Sequence, residues 1–451
     1  MSPAPDHASM PGRFHPGPVA SHAGLLEPVA GGKAVAAGTG MGGHTRRMRI
    51  RRRNPCLVEF EDVLVPDLSA LLRGRARLDS SISASLLCPV AGRKLPLSAD
   101  EVGVIASLSA DRWHPVADVA ESRALPIATI HSMVDRQLVC SDGDDPAATR
   151  LREAEARLES IGWHPHAAVY HALSGWQGVS GEEGSRCHAA IAQVERLQRH
   201  ASSHGRLPSH FHRRDDALDR VRLPPEPFDD DFARVLRNRR TTRHFRKGVP
   251  LPLAHFTRLL HGTFGAMGTE TLAPGMVAIR RTSPSGGGLH PIEAYPLVMD
   301  VEGLQPGFYH YEPATHMLAL LESIPSNPAR ELAATLLIGQ TYFAQASALV
   351  FHVARIDRHH WKYRRHPKAY KAVLLDSGHL SQTFHLLAAE RALGAFYTAA
   401  INDVDVSRRL HLDPLREAVI AANGVGVIDH RQNELHLNPE PYAPRPDALA
   451  C

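Results

Sequence analysis

At 451 residues, with 43% hydrophobic and 22% charged residues, the chain has the composition of a globular protein with room for two or three domains. A formal net charge of +4 is too small at this length to argue for nucleic acid by itself. Five cysteines, Cys56, Cys88, Cys140, Cys187 and Cys451, form no C-x-x-C pair, which disfavours a disulfide framework and a thiolate metal site. No apolar run approaches the ~20 residues of a membrane span, and the N-terminus lacks the apolar core of a signal peptide. A cytoplasmic location is the expectation.

Residues 1–47 are rich in Gly, Pro, Ala and His with almost no periodic apolar content, a composition that cannot repay the entropy of folding, so a disordered extension is expected. Met48 offers an alternative start. Positions 46–53 hold six arginines, which read as a solvated arm or as a patch for an acidic peptide or nucleic acid.

Residues 48–147 read as a winged-helix-like α+β module. Ser98 and Glu101 have capping-box spacing, with Val102, Ile105 and Leu108 behind them at helical spacing. Further helices are expected over 115–121 and 126–137, then a strand at 138–140 entering a turn, to give a two-stranded wing. The third helix carries only His131 and Arg136 toward a groove, too few for a base-reading helix. The module is therefore expected to bind a peptide along a sheet edge, or to act as a lid. Residues 148–226 read as a helical, His-rich connector. His164, His166, His171, His204, His210 and His212 have no compact metal-ligand spacing, and no metal is expected.

Residues 227–451 carry the chemistry. After a short helix at 231–237, alternation along an extended segment points Arg239, Thr241 and Arg243 the same way. Two guanidiniums and a hydroxyl on one face make a phosphate grip; a charged surface strand is the plain alternative. At 284–287, Pro284-Ser285-Gly286-Gly287, followed by Gly288, is a turn whose backbone can take positive φ and approach a flat, polar-edged ligand closely. A surface turn is the alternative there. A hairpin over 307–321, a buried strand at 346–354, a helix over 376–393 stopping at Gly394, a strand at 395–401, a helix at 403–410 capped by Asp403, and a last strand at 418–427 complete an α+β sandwich: a mixed sheet between helices.

Pro284-Ser-Gly-Gly-x-Leu-His-Pro-x-Glu-Ala-Tyr295, the Arg239-x-Thr-x-Arg243 element, the Gly307-x-Tyr-x-Tyr311 hairpin and Trp361-Lys362-Tyr363 with the downstream Leu-Leu-Asp-x-Gly-His-Leu together resemble the SagB-type dehydrogenases, FMN enzymes of the nitroreductase superfamily. The resemblance runs from about 236 to 427. It implies a nitroreductase-like fold and FMN as cofactor. Arg239, Thr241 and Arg243 would hold its phosphate, Pro284, Ser285, Gly286 and Gly287 would meet the flavin, and Ala399 and Ala400 would meet its edge by position alone. It further implies a precursor peptide as substrate, a homodimer, and a cyclodehydratase as a candidate companion.

Lys362 and Tyr363 are implied as the catalytic pair for oxidising azoline rings to azoles. A phenol, with an ordinary pKa near ~10, is a poor base at neutral pH, and a neighbouring ammonium improves it. Adjacent residues do not share a face of a helix or strand, so the pair is expected to cooperate from a loop, or with one acting on the substrate and the other on the flavin, unless the stretch merely clothes a surface. Two other readings stay open: an NAD(P)H-dependent reductase of small molecules, and a non-enzymatic binder of a leader peptide or DNA.

Overall fold

The computed structural model describes residues 48–181, 190–205, 207, 214–224 and 226–431. The expected extension at 1–47, with Cys187, Cys451, His210 and His212, lies outside that set. The N-terminal part runs β1 (Arg49–Arg51), β2 (Leu57–Pro66), α1 (Leu68–Leu72), β3 (Leu78–Cys88), β4 (Arg93–Leu97), α2 (Ala99–Ser107), β5 (His114–Pro115), α3 (Val116–Ser122), α4 (Ile127–Asp135) and β6 (Cys140–Ser141). Then come α5 (Pro146–Ile161), α6 (Pro165–Ser174), α7 (Ala190–His204), α8 (Asp231–Asn238), α9 (Leu253–Phe264), β7 (Gly268–Ala273) and β8 (Met276–Arg280). The chain continues through β9 (Ile292–Val298), β10 (Gly307–Glu312), β11 (Met317–Ser323), α10 (Ser326–Leu336), β12 (Ala348–Arg355) and α11 (Ile356–Lys362). It ends with α12 (Ala369–Glu390), β13 (Leu393–Thr398), α13 (Asp403–Arg409) and β14 (Glu417–Val427).

The apolar run expected as a buried strand is β12, inside the six-stranded sheet β11-β10-β9-β12-β14-β13. Alternation of side chains divides it between two cores. Val350 and Ala354 pack with Phe256 and Phe264 of α9 and Val373 and Phe384 of α12. Leu349, Phe351 and Val353 pack with Ala329, Ala333 and Leu336 of α10 on the opposite face. A strand covered on both faces needs apolar residues throughout, which is why it reads as a continuous hydrophobic run. The expected α+β sandwich is therefore present.

Pairing among the sheet's strands is antiparallel, and the connections joining β9, β10 and β11 are too short for a parallel crossover there. The mixed element is confined to the isolated parallel bridges Thr241–Ala395 and Leu251–Val301.

The long helix begins at Ala369 and ends at Glu390, so Gly394 does not cap it. Ala392 makes the left-handed turn (φ 54°), and Gly394 lies inside β13, where an added Cβ would stand 2.6 Å from Thr242 Cγ2. That glycine marks a close approach of chains. Likewise α13 starts behind Asn402, one residue before the expected Asp403.

In the N-terminal part the Ser98–Glu101 capping box forms, and α2, α3 and α4 pack through Ile105, Val119, Ile130 and Met133 against Leu86 of β3. The expected two-stranded wing after α4 does not form. Asp145 caps α5 through Ala147 N and Ala148 N with Pro146 in its first turn, so the chain turns helical at once and β6 pairs with β1 instead. The stretch expected as a connector is fastened to the sheet domain. Leu158, Ile161, Trp163 and Ala168 join one of its cores, and Trp163 Nε1 donates to Leu415 O at 2.8 Å.

Candidate functional site

The glycine loop is stapled along one side of α12. The Ser283 hydroxyl lies 2.6 Å from Thr383 Oγ1. Ser285 Oγ donates to Asp376 Oδ2 at 2.5 Å, and Gly286 N donates to Asp376 Oδ1 at 3.0 Å. Ser285 Oγ in turn accepts from His290 N at 2.9 Å. Asp376 is only 3% exposed, so its carboxylate needs these donors to offset desolvation. Gly287 and Gly288 take φ of 65° and 69°, a conformation open to glycine at no steric cost.

Lys362 closes α11, and Tyr363 is its C-cap with non-helical φ −109° and ψ 41°. That break lets two adjacent residues converge. A Cβ on Gly287 would collide with the Tyr363 hydroxyl and lie 3.1 Å from Lys362 Nζ, and Lys362 Nζ donates to Gly287 O at 3.4 Å. The second positive-φ glycine faces open space: nothing lies within 4 Å of where a Gly288 Cβ would be.

His359 sits behind the loop, its Cε1 3.5 Å from the position of a Gly286 Cβ and its ring centroid 5.1 Å from that of Tyr363. It is fully buried, with neither ring nitrogen hydrogen-bonded. Burial pulls its pKa below the ordinary value, against the pull of Asp376. Arg281, 8% exposed, shares a recess with Ser285, His290 and Asp376. Its Nη1 donates to Ile292 O at 2.8 Å, and burial pulls its pKa down to about 10.

Arg239, Thr241 and Arg243 are half-buried, whereas Thr242 between them is buried against Gly394. Thr242 N donates to Ala395 O at 2.8 Å, which fixes the segment beside the edge strand β13. Arg239 lies near His385 of α12, whose pKa is pushed down to about 4 by burial and then by that guanidinium. Within one chain this grip is not next to the glycine loop. The loop leads into β9, and β12 and β14 stand between β9 and β13, three strand spacings or about 14 Å. Ala399 and Ala400 follow β13; Ala400 N donates to Thr398 Oγ1 at 3.0 Å, and Ala399 is exposed. Among the described residues no group of three or more His, Cys, Asp or Glu could hold a metal ion.

The sequence pattern of the Nitroreductase family matches positions 236–427, from α8 through β14. Residues 236–427 form a nitroreductase-family domain. The nitroreductase domain contains the grip, the glycine loop and the Lys362–Tyr363 pair.

The chain is 25% identical over 308 residues to the trifolitoxin-processing protein TfxB of Rhizobium leguminosarum bv. trifolii, covering 66% of this chain and 79% of that one. It is 26% identical over 178 residues to MJ1384 of Methanocaldococcus jannaschii, which bears a nitroreductase name, covering 40% and 83%. A chain of the E. coli microcin synthetase McbBCD complex, solved with truncated pro-MccB17 bound, matches with a TM-score of 0.41 and 19% identity over 61% of this chain and 97% of that chain.

The nitroreductase domain's residues fit a phosphate-bearing, flat cofactor. Two guanidiniums flank a hydroxyl on one half-buried segment, suited to an anion with several oxygens, and Gly288 turns bare main chain toward open space. Sequence reasoning missed Asp376, His359 and Arg281. Asp376 was visible within the Leu-Leu-Asp-x-Gly-His-Leu stretch, but nothing in its spacing revealed that it grips a loop some 90 residues away.

Proposed function

We propose that the chain is an FMN-dependent oxidoreductase that dehydrogenates a ribosomally made peptide, with azoline-to-azole oxidation as the reaction, in the manner of the SagB-type enzymes. The observation that carries this reading is the convergence of Lys362 and Tyr363 on Gly287 of a loop that Asp376 holds in place. Support for a peptide comes from the relative named for trifolitoxin processing. Its 308 matched residues exceed the 192 of positions 236–427, so that likeness extends beyond the nitroreductase domain.

Taking an azoline to an azole removes a proton from one ring carbon and a hydride from its neighbour. Bound FMN supplies the hydride acceptor. The chain's own groups bind, orient and handle the proton: Arg239, Thr241 and Arg243 hold the phosphate, the 284–287 loop supports the ring, and Tyr363, with Lys362 at the same glycine, takes the proton. Because grip and loop stand apart in one chain, two copies complete each site, the grip of one facing the loop of the other.

The test uses Lys362→Ala and Tyr363→Phe, assayed on an azoline-containing peptide. Both variants should keep FMN and lose about 100-fold or more in turnover; variants as active as the parent would remove the pair from the chemistry. The match to the nitroreductase-named MJ1384 favours a second reading, reduction of small molecules by NAD(P)H. Rapid bleaching of bound flavin by NADPH without peptide would select it.

A further inference from the structure

The arginine run that opens the described chain is divided by its backbone. Arg51 and Arg53 point the same way along the extended segment and share Glu155 of α5: Arg51 Nη2 at 3.0 Å from Oε2 and Arg53 Nε at 2.8 Å from Oε1. The rest of the Arg53 fork is used as well, Nη1 on Gln137 O at 2.6 Å and Nη2 on Cys88 Sγ at 3.0 Å. Arg52 differs from its neighbours. Its backbone N donates to Ser109 O, but its Nε is buried with no hydrogen-bond partner, and among the described residues no carboxylate pairs with it.

Arg52 lines a cleft of about 390 Å³ together with Arg53, Asn54, Cys56, His164 and His166. No acidic side chain is among the lining residues. The cleft's far wall is the start of α6, where His164 occupies the N-cap without a side-chain cap bond and Pro165 follows. The positive end of the α6 dipole therefore borders the same space. The Arg52 side chain lines this cleft with no carboxylate among the other lining residues, so its charge is available to an anion there.

We propose that this cleft binds a carboxylate-bearing segment of a peptide. A nucleic acid would need a row of free cations along several phosphates, whereas the two arginines flanking Arg52 already share the Glu155 carboxylate. The volume suits a short stretch of side chains, and Pro55, Leu57 and Pro165 supply apolar wall beside the charge. The identity of the ligand as peptide rests on the proposed function; the anion site does not.

The test is calorimetric titration of the full chain at low salt with the capped tetrapeptide Ala-Glu-Glu-Ala, its Ala-Gln-Gln-Ala counterpart and inorganic phosphate. The glutamate peptide should bind at one site, and the glutamine peptide should not. Arg52→Gln should weaken binding about tenfold or more, the scale of losing one charge-assisted pair. Asn54→Asp, a change at an exposed rim position that leaves the core untouched, should weaken it by like-charge repulsion. Arg234→Gln, on the exposed face of α8, should change nothing. No binding of the glutamate peptide, equal binding of the glutamine peptide, indifference to both Arg52→Gln and Asn54→Asp, or phosphate binding as tightly as the peptide would each overturn the proposal. These outcomes involve neither flavin nor turnover, so they leave the redox reading standing.

Discussion

Asp376 sets the geometry of the glycine loop through two charge-assisted hydrogen bonds at 2.5 and 3.0 Å from a position 3% exposed. Asp376→Ala strands the Ser285 hydroxyl and the Gly286 N–H, and should cost about 2–4 kcal/mol of stability by urea unfolding; Asp376→Asn, which still accepts one bond, should cost less. Gly287→Ala tests the same contact from the other side. The new methyl meets Tyr363 and Lys362 at a backbone φ of 65°, so stability should fall by about 1–2 kcal/mol. Turnover should fall further than stability implies, because the pair proposed to be catalytic is displaced; a variant with unchanged kcat would separate the pair from the loop. The glycines alone read equally well as a plain surface turn; the companion motifs around them singled them out. Their partner was not legible, since a carboxylate inside a helix looks the same in sequence whether it faces water or a loop.

At the scale of elements, β13 and α12 hold between them the 239–243 segment proposed to grip the phosphate. Gly394 lets Thr242 lie against β13. Gly394→Ala should push the 239–243 segment away and raise the dissociation constant for FMN about tenfold or more, read by fluorescence titration, with only a modest change in melting temperature. The sequence places that glycine beside a helix end, where a cap residue is the default reading; only the tertiary contact with Thr242 shows its use. The strands and the hairpin were legible for a simpler reason: apolar runs and period-two patterns report burial directly.

The same elements carry a pH dependence. Burial holds His352 of β12, His360 of α11 and His385 of α12 at about 4, below the ordinary 6.5. Between those values the unfolded chain binds protons that the folded chain excludes, so stability falls as pH drops from about 6.5 to about 4. Denaturant midpoints at pH 7, 6 and 5 should decline with proton uptake approaching about three per molecule near pH 5. A flat profile would mean these imidazoles are already charged in the fold.

For the molecule as a whole, one chain supplies a grip and a loop at separate places, and light scattering should find two copies. A protein that binds FMN tightly as a monomer would require both parts to be rearranged within one chain. The domain's fold was legible because several motifs recur in one order. The seating of α5 and α6 was not, because amphipathic helices do not encode which surface they cover. The central claim is that this chain seats a flavin. It is tested most directly by incubating purified protein with FMN, removing unbound cofactor and quantifying what heat denaturation releases. One FMN per chain is expected, falling steeply in the Arg239→Ala, Arg243→Ala double variant; a colourless protein that releases none would contradict the account.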